Sequence, residues 1–383
     1  MIVGVPKESF PGERRVALVP AVVSPLFKAK LEVAVEQGAG IEAGYPDAEY
    51  AASGTSILSS RADLFAKADI VAQVLGVGSN DRTGEADLPL LRRGQFLVAF
   101  LRPLGTLAAV EQLAATGVTS FAIELMPRTT RAQAMDALSS MATICGYKAV
   151  LAAADALPRL FPMLTTAAGT ITPARVLVVG TGVAGLQAIA TARRLGAVVS
   201  AYDIRPAAKE QVQSLGGRFV ELPLEADNAQ DARGYARVQD DSFYRRQRDL
   251  LGRVVAESDV VITTAVVPGK QAPVLVSREM VTRMAPGSVI VDLAAERGGN
   301  CELTRANEVV VERGVTVDGT INLASKVPFH ASQMYARNVS AFLLHVFRNA
   351  TPAIDVSDEI VRETLLTRDG ELVNARVREF FGK

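Results

Sequence analysis

The sequence predicts an α/β protein built from two α/β domains, each with a mostly parallel sheet, and a cleft between the domains. Three observations predict this class. The chain has 383 residues, which is enough for two hydrophobic cores of ordinary size. Short apolar runs alternate with helical segments, a pattern typical of parallel sheets covered by helices. These runs form two series that a polar stretch separates.

The expected strands of the first series occupy the first third of the chain and are bounded by turn residues. They lie at 2–5, 32–35, 70–74, 96–100 and 118–122. The second series begins after residue 174. Its expected strands lie at 175–179, 198–202, 218–221, 260–264, 289–293 and 315–317.

The junction between the two series is polar. Residues 127–136 follow an expected strand, and the alanine-rich segment 137–157 has the composition of a helix. After the last strand, 319–328 is expected as a loop, and apolar residues recur at helical spacing through 334–347. The expected domains are therefore 1–138 with 326–383, and 139–325.

One insertion interrupts the second series. Residues 225–253 are rich in Asp, Arg and Gln around Gly234 and Tyr235. Two interpretations are open for this run. It is either a solvated surface excursion or a mobile loop over a ligand, since long insertions in compact domains are often functional.

The composition is that of a soluble globular protein. The 41 basic side chains balance 41 acidic ones, so bulk charge recruits neither nucleic acid nor an anionic membrane. Cys145 and Cys301 stand far apart without metal-ligand spacing, which predicts neither a disulfide framework nor a metal site. The chain opens without a basic or apolar leader, so we expect no secretion signal and a cytoplasmic protein. The longest uncharged stretch, between Arg175 and Arg193, contains three glycines and is a poor membrane span.

A glycine-rich turn carries the clearest functional signal. Gly180, Gly182 and Gly185 form a GxGxxG pattern directly after an apolar strand and at the start of an expected helix. The first glycine permits a tight turn, the second lets the backbone approach a pyrophosphate, and the third lets helix and strand pack closely. The helix N-terminus then presents amide hydrogens and a positive dipole to the phosphates.

An acidic residue completes this dinucleotide-binding pattern. Asp203 ends the next expected strand, where a Rossmann fold hydrogen-bonds the adenosine ribose. Arg205 complicates the choice of cofactor, because a nearby arginine can accommodate a 2′-phosphate. Asp203 still repels that phosphate, so the sequence favours NAD(H) over NADP(H).

Histidine is scarce. Only His330 and His345 are present, and both fall near the expected C-terminal helix, where a surface or packing role is expected. Dehydrogenation of an alcohol or amine needs a group that moves a proton. Hydride exchange between two nicotinamides needs no such group, so the scarcity is compatible with that reaction without establishing it.

Several further motifs extend over residues 1 to 350 and carry a family resemblance. They include Glu13-Arg-Arg-Val-Ala-Leu-Val-Pro20, Glu124-Leu-Met-Pro-Arg128, Arg131-Ala-Gln-Ala-Met-Asp136, Val267-Pro-Gly-Lys270 and Asp292-Leu-Ala-Ala-Glu-Arg-Gly-Gly-Asn-Cys301. With these motifs the chain resembles the NAD(H)-binding alpha subunit of proton-translocating NAD(P) transhydrogenase. The segment after about Thr351 shows no distinctive motif, so the resemblance implies nothing functional there.

The resemblance implies a set of site residues. Gln133, Arg128 and Asp136 would act at the nicotinamide end of the nucleotide, with Ser139 beside them. Their side chains suit that task, because arginine supplies a planar fork of donors while Gln and Asp hold hydroxyl and carboxamide groups. Further nucleotide-lining positions implied by the resemblance are Val183, Ile204, Arg205, Gly234, Tyr235, Gln247 and Val266.

The resemblance also implies partners and a location. The subunit would pair with itself as a homodimer and dock on a separate component that binds NADP(H). A membrane component would form the proton channel, so the chain would associate peripherally with an inner-membrane complex without inserting into the membrane. Hydride would pass directly between NADH and NADP⁺.

Two alternatives stay open. Alanine dehydrogenase shares the fold and the position of Arg15, but its substrate-binding lysine and catalytic histidine would fall where this chain has Gln73 and Phe100, and its late aspartate near Glu296. Loss of both groups removes the means to bind a carboxylate and exchange a proton. A non-catalytic NAD-sensing module would share every nucleotide contact, and turnover with an NADP(H)-binding partner would distinguish it.

Overall fold

Apolar strands separated by helices build two sheets in the computed structural model, which describes residues 1–221, 241–348, 350–352 and 354–383. The strands in chain order are β1 (Ile2–Val5), β2 (Glu32–Glu36), β3 (Ser56–Leu58), β4 (Ile70–Leu75), β5 (Phe96–Phe100), β6 (Thr119–Ala122), β7 (Leu164–Thr166), β8 (Gly169–Ile171), β9 (Arg175–Val179), β10 (Val198–Tyr202), β11 (Arg218–Phe219), β12 (Val260–Thr263), β13 (Val289–Asp292), β14 (Val309–Glu312), β15 (Val315–Asp318), β16 (Phe347–Arg348), β17 (Thr351–Pro352), β18 (Leu365–Arg368) and β19 (Glu371–Leu372).

Helices of very different length connect these strands. The α-helices in chain order are α1 (Val23–Lys28), α2 (Asp47–Ala52), α3 (Arg61–Lys67), α4 (Leu107–Ala115), α5 (Ala137–Ala156), α6 (Val183–Arg194), α7 (Ala208–Ser214), α8 (Asp241–Ala256), α9 (Arg278–Thr282), α10 (Pro328–Val346), α11 (Glu359–Thr364) and α12 (Ala375–Phe380). Short 3₁₀ helices lie at Pro20–Val22, Ile41–Ala43, Gly84–Leu90, Ile123–Leu125, Thr130–Met135, Ala295–Arg297 and Leu323–Lys326.

The first compact unit comprises residues 1–141 and 324–383. Its sheet has the order β19-β18-β6-β5-β4-β1-β2-β3. Strands β1 to β6 are parallel, whereas β18 pairs antiparallel with β6. Parallel strands need cover on both faces, and here α10 supplies part of it, with Tyr335 and Phe342 fully buried. The C-terminal part of the chain thus completes this sheet.

The second compact unit comprises residues 142–323. Its sheet has the order β11-β10-β9-β12-β13-β15-β14, parallel throughout except for the antiparallel β14 at one edge. Leaving β14 aside, this is the 3-2-1-4-5-6 order of a dinucleotide-binding fold, in which the strand order reverses between β9 and β12. Ligands of such sheets bind beside that reversal, at the carboxyl ends of the strands.

Helix α5 is long and apolar enough, by length and composition alone, to cross a membrane. Three of its residues, Ala149, Val150 and Ala153, are fully buried in a cluster with strand residues of the second sheet. Core helices of this kind pass the same test of length and hydropathy. Packing within the second unit therefore accounts for part of the apolar character of α5.

The predicted fold class is confirmed, with local differences. The expected strand 218–221 ends at Phe219, and the expected helix at 334–347 begins earlier, at Pro328. Proline is favoured in the first turn of a helix because it has no amide hydrogen to leave unpaired there. The expected loop at 319–328 contains the 3₁₀ helix Leu323–Lys326. Of the insertion at 225–253, residues 241–253 belong to α8, and residues 225–240 lie outside the described residues.

Candidate functional site

The glycine turn joins β9 to α6 as the sequence predicts. Gly180 has a φ of +94°, in the left-handed region that favours glycine. Gly182 is the N-cap of α6, in an extended conformation. A Cβ atom on Gly185 would lie 1.9 Å from the carbonyl oxygen of Gly180. The absence of a side chain at Gly185 therefore lets the helix pack directly on the turn.

The space beside Gly182 is open. A Cβ atom built on this residue has no heavy atom within 4 Å, in contrast to Gly180 and Gly185. The first turn of a helix carries amide hydrogens without helical acceptors and the positive end of the helix dipole. The turn can therefore bring backbone amides close to a phosphate, so the residues present fit a dinucleotide.

Thr264 braces the turn from the neighbouring strand. Its Oγ1 donates to the Gly180 carbonyl at 3.0 Å, and its amide donates to the Val179 carbonyl at 2.8 Å. Thr264 directly follows β12, which lies next to β9 on the side opposite β10. This residue was not predicted from the sequence, although a polar residue at the carboxyl end of a buried strand was a usable signal.

Asp203 lies at the carboxyl end of β10 and contacts the glycine turn. Its Oδ2 accepts hydrogen bonds from the amide and the hydroxyl of Thr181 at 2.7 and 2.8 Å. Burial opposes ionisation, but the hydrogen bonds and charge of Arg205, joined by the Thr181 amide, outweigh it and hold the pKa of Asp203 below its ordinary value. The carboxylate is thus charged at neutral pH and attached to the turn.

Arg205 binds the same carboxylate. Its amide and its Nε each donate to Oδ1 of Asp203 at 2.9 Å, and its Nη2 donates to Oδ2 at 2.9 Å. With the two bonds from Thr181, Asp203 accepts five hydrogen bonds, whereas a carboxylate offers about four lone-pair positions. The acceptor capacity of Asp203 is therefore filled in this structure, and any further donor must displace one of these five.

Asn300 fixes the backbone that follows β12. Its Nδ2 donates to the Ala265 carbonyl at 2.8 Å, and its Oδ1 accepts from the Ala265 amide at 2.9 Å. The buried Asp292 accepts from the Asn300 amide at 2.7 Å. This network leaves the next side chain, Val266, 43% exposed at the carboxyl edge of the sheet. Asn300 belongs to a motif noted in the sequence, but its role was not predicted.

The remaining predicted positions of the second unit differ in accessibility. Val183 is exposed and Ile204 is half-buried. Gln247 is buried, and its Nε2 donates to the Tyr202 hydroxyl at 2.9 Å, so its amide contributes to packing between α8 and β10. Gly234 and Tyr235 lie outside the described residues.

The four predicted residues of the first unit share one segment. Arg128 and Gln133 are exposed, and Asp136 and Ser139 are half-buried. Asp136 directly precedes α5, and its carboxylate accepts from the Ser139 amide at 2.9 Å and from the Ser139 hydroxyl at 2.6 Å. This is the hydrogen bonding of a helix N-cap. Asp136 therefore has a structural role at the start of α5 in addition to any ligand contact.

Two positions bear on amino-acid dehydrogenation. Gln73 is buried, and its Nε2 donates to Asp87 Oδ2 at 2.9 Å. The backbone carbonyl of Gln73 accepts from the Tyr335 hydroxyl at 2.7 Å. The Phe100 ring packs against Tyr335 with 5.4 Å between the ring centroids. Neither position offers a cation or a titratable proton carrier. Within the described residues, no group of three His, Cys, Asp or Glu side chains could hold a metal ion.

Comparisons with known proteins agree with this geometry. The family models for the N-terminal and C-terminal domains of alanine dehydrogenase/PNT match residues 4–145 and 149–375. An NAD(P) transhydrogenase alpha-subunit polypeptide of Rhodospirillum rubrum is 46% identical over 377 residues, which is 98% of each chain. The solved transhydrogenase of Sinorhizobium meliloti has a TM-score of 0.86 and 43% identity, covering 97% of this chain and 100% of that chain.

A solved L-alanine dehydrogenase has the same fold at lower identity. Its TM-score is 0.81 and its identity 26%, with 100% of this chain and 99% of that chain covered. The identity to the transhydrogenase sequences is much higher, and the family models together span nearly the whole chain. The chain therefore belongs to the alanine dehydrogenase/PNT family and, within it, to the NAD(P) transhydrogenase alpha subunits, with alanine dehydrogenase as a more distant relative.

Proposed function

We propose that residues 139–325 bind NAD(H) and that hydride passes directly between this nucleotide and NADP(H) held by a separate component, coupled to proton movement by a membrane component. The observation that carries the proposal is the open space beside Gly182, at the N-terminus of α6 and next to the ionised Asp203. Bound NADH supplies the hydride. The residues of this chain supply binding and orientation.

Selectivity for NAD(H) rests on Asp203. Thr181 and Arg205 hold its carboxylate at the edge of the turn, where it accepts ribose hydroxyls once the Arg205 side chain rotates away. A 2′-phosphate beside the same carboxylate meets like-charge repulsion and binds less well. Arg205 reduces this repulsion while it is paired, so the two residues together set the preference.

The segment with Arg128 and Gln133 supplies orientation. Both side chains are exposed on the first unit, as a residue that contacts a nucleotide on a partner must be. Direct hydride transfer requires aligned carbon atoms and no protein nucleophile, so positioning is the catalytic device. The histidines fit this reaction, since His330 is exposed beside Phe329 and His345 is paired with Asp358.

We propose a homodimer and peripheral attachment to an inner-membrane complex on the cytoplasmic side. The hairpin of β7 and β8 supports the homodimer, because its apolar side chains are exposed. Met163 is 64%, Leu164 44% and Ile171 47% exposed. A hairpin of two short strands is marginal in water by itself, and exposed apolar side chains on paired residues, here Leu164 and Ile171, are typical of an interface. A second copy of the chain would cover it.

Reconstitution tests the function. The purified chain is mixed with the NADP(H)-binding component of a transhydrogenase, and NADPH formation from NADH and NADP⁺ is followed. We expect transfer only when both proteins are present, and no turnover of L-alanine with NAD⁺ by the chain alone. Binding of NADH without transfer would leave a nucleotide-sensing role, and clear turnover of L-alanine would restore the dehydrogenase alternative.

A further inference from the structure

The backbone beside Gln133 is held by a residue far away in the sequence. Asn338 lies on α10, is 7% exposed, and donates from Nδ2 to the Ala134 carbonyl at 2.8 Å. Ala134 itself is exposed and directly follows Gln133. The contact therefore fixes the main chain of the loop while the side chain of Gln133 stays accessible.

Packing alone does not explain why the side-chain amide of Asn338 is buried. Its Oδ1 has no hydrogen-bond partner among the described residues, and a buried acceptor without a partner destabilises the fold. An apolar residue of similar size would avoid that cost. The side-chain amide of Asn338 nevertheless makes its hydrogen bond to the loop through Nδ2, and we take this as a sign that the contact has a function.

A second contact holds the other side of Gln133. Arg131, two residues before it, pairs through Nη2 with Oδ1 of Asp358. Asp358 also receives His345 Nε2 at 2.8 Å and caps α11 by accepting the Ile360 amide at 2.9 Å. The carboxylate is therefore fixed by α10 and α11 before it meets Arg131.

We propose that Asn338 and Asp358 are positioning residues that set the place of Gln133 for hydride transfer. The inference rests on the proposed function. For Asp358 it assigns a role within the segment after Thr351, which shows no distinctive motif. Anchors at residues 131 and 134, together with the Asp136 cap, leave the intervening backbone little freedom, so Gln133 meets its target in one orientation.

Four variants and two controls test this. Asn338→Leu removes the donor and also the unpaired oxygen. Arg131→Gln, Asp358→Asn and their double variant remove the ion pair from either side. Asn374→Leu is the control for Asn338, because Asn374 is a buried amide that holds the Glu363 and Leu365 carbonyls elsewhere in the same unit. Asp355→Asn is the control for Asp358.

Three quantities are measured for each variant: the temperature of thermal unfolding, the NADH dissociation constant, and the rate of hydride transfer in the reconstituted complex at saturating NADH. We expect Asn338→Leu to lower transfer about tenfold, since small displacements of a positioning group are costly, while thermal stability and NADH affinity are preserved. Arg131→Gln and Asp358→Asn should each lower transfer about threefold, within the range of an exposed ion pair, and the double variant should fall no further. The controls should transfer hydride at the wild-type rate, although Asn374→Leu lowers stability.

Each contrary result overturns the inference. If the variants lose no more hydride transfer than the controls, or only as much as their NADH affinity falls, the contacts of Asn338 and Asp358 have a structural role alone. A much larger loss in Arg131→Gln than in Asp358→Asn would place Arg131 in direct contact with a nucleotide. If the wild-type pair transferred no hydride, the proposed function would fail, but amide exchange would still test the anchoring. Faster exchange at Ala132 and Asp136 in Asn338→Leu supports it, and unchanged exchange refutes it.

Discussion

The glycine turn of the second unit and the Gln133 loop of the first unit are organised in opposite ways. In the turn, Gly185 packs against the backbone of Gly180 and Thr181 donates to Asp203, all within a short stretch of chain. In the loop, the side chains of Arg128 and Gln133 are exposed and the backbone is anchored by residues more than 200 positions away, such as Asn338. Under the proposed function, nucleotide binding is thus encoded locally, whereas the positioning of Gln133 depends on long-range contacts.

The largest effect is expected from Gly185→Ala. The added Cβ atom would lie 1.9 Å from the Gly180 carbonyl oxygen, which belongs to the backbone and cannot rotate away as a flexible side chain could. Overpacking of this kind should lower the free energy of unfolding by about 3 kcal/mol, measured by urea denaturation. NADH binding should be lost with it.

Gly182→Ala is the matched variant at the same turn. Its Cβ atom meets no atom within 4 Å, so the free energy of unfolding should fall by less than about 1 kcal/mol. The NADH dissociation constant should rise about tenfold, equivalent to about 1.4 kcal/mol, because the methyl group occupies the space we assign to phosphate. Wild-type affinity in this variant would remove the phosphate from that place.

Much of the fold could be predicted because local sequence patterns determine it. Strands β1, β4, β5 and β9 coincide with apolar runs between turn residues, since buried parallel strands are apolar on both faces. Strand β14 was not predicted, because its Val309 and Val311 are exposed at a sheet edge. The pairing of β18 with β6 was not predicted either, since no local pattern encodes it.

The candidate site divides in the same way. The places of Gly180, Gly182 and Asp203 in the fold followed from their spacing, because strand, turn and helix fix it. The roles of Thr264, Asn300 and Asn338 did not, since each acts through a backbone group that only the folded chain brings near. The ligand roles assigned to Arg128, Gln133 and Asp136 stay predictions.

Gln133→Asn tests the loop half of the comparison. The shorter amide keeps donor and acceptor but loses about one methylene of reach, so hydride transfer in the reconstituted complex should fall about a hundredfold. NADH affinity should change less than about twofold, because the turn of the second unit supplies most of the binding. A fall in transfer that only mirrors lost affinity would show that Gln133 is a peripheral contact.

Asp203→Ala tests the turn half. The wild-type chain should bind NADH more tightly than NADPH. In the variant the ratio of the NADPH and NADH dissociation constants should fall about tenfold, since one hydrogen-bonded charge is removed. Titration of both nucleotides gives the two dissociation constants. An unchanged preference would assign the discrimination to Arg205 instead.

The smallest effect is a difference in pH response between the units. Burial, followed by the charge of Glu13, raises the pKa of Glu8 to about 8. Because this value exceeds that of the unfolded chain, protonated Glu8 stabilises the first unit at low pH, and the contribution is lost as pH rises toward about 8. Asp203 behaves in the opposite sense, since its pKa is lowered and its contribution is lost only in acid.

Glu8→Gln should therefore flatten the alkaline side of the stability profile. Between about pH 6 and about pH 9 the free energy of unfolding of the wild-type chain should fall by at most about 1 kcal/mol more than that of the variant. The difference is small because Glu8 is partly exposed. Thermal unfolding at both pH values measures the difference. Parallel profiles would mean that Glu8 is ionised throughout this range.

The most direct test of the account follows the hydride itself. NADH carrying deuterium at both hydrogen positions of the reactive nicotinamide carbon is mixed with this chain, the NADP(H)-binding component and NADP⁺ in ordinary water, and the NADPH is analysed by mass spectrometry. Direct transfer between nucleotides that the two proteins hold in register predicts that the deuterium appears in NADPH without dilution. Loss of the label to water, or NADPH formed equally well without this chain, would contradict the account.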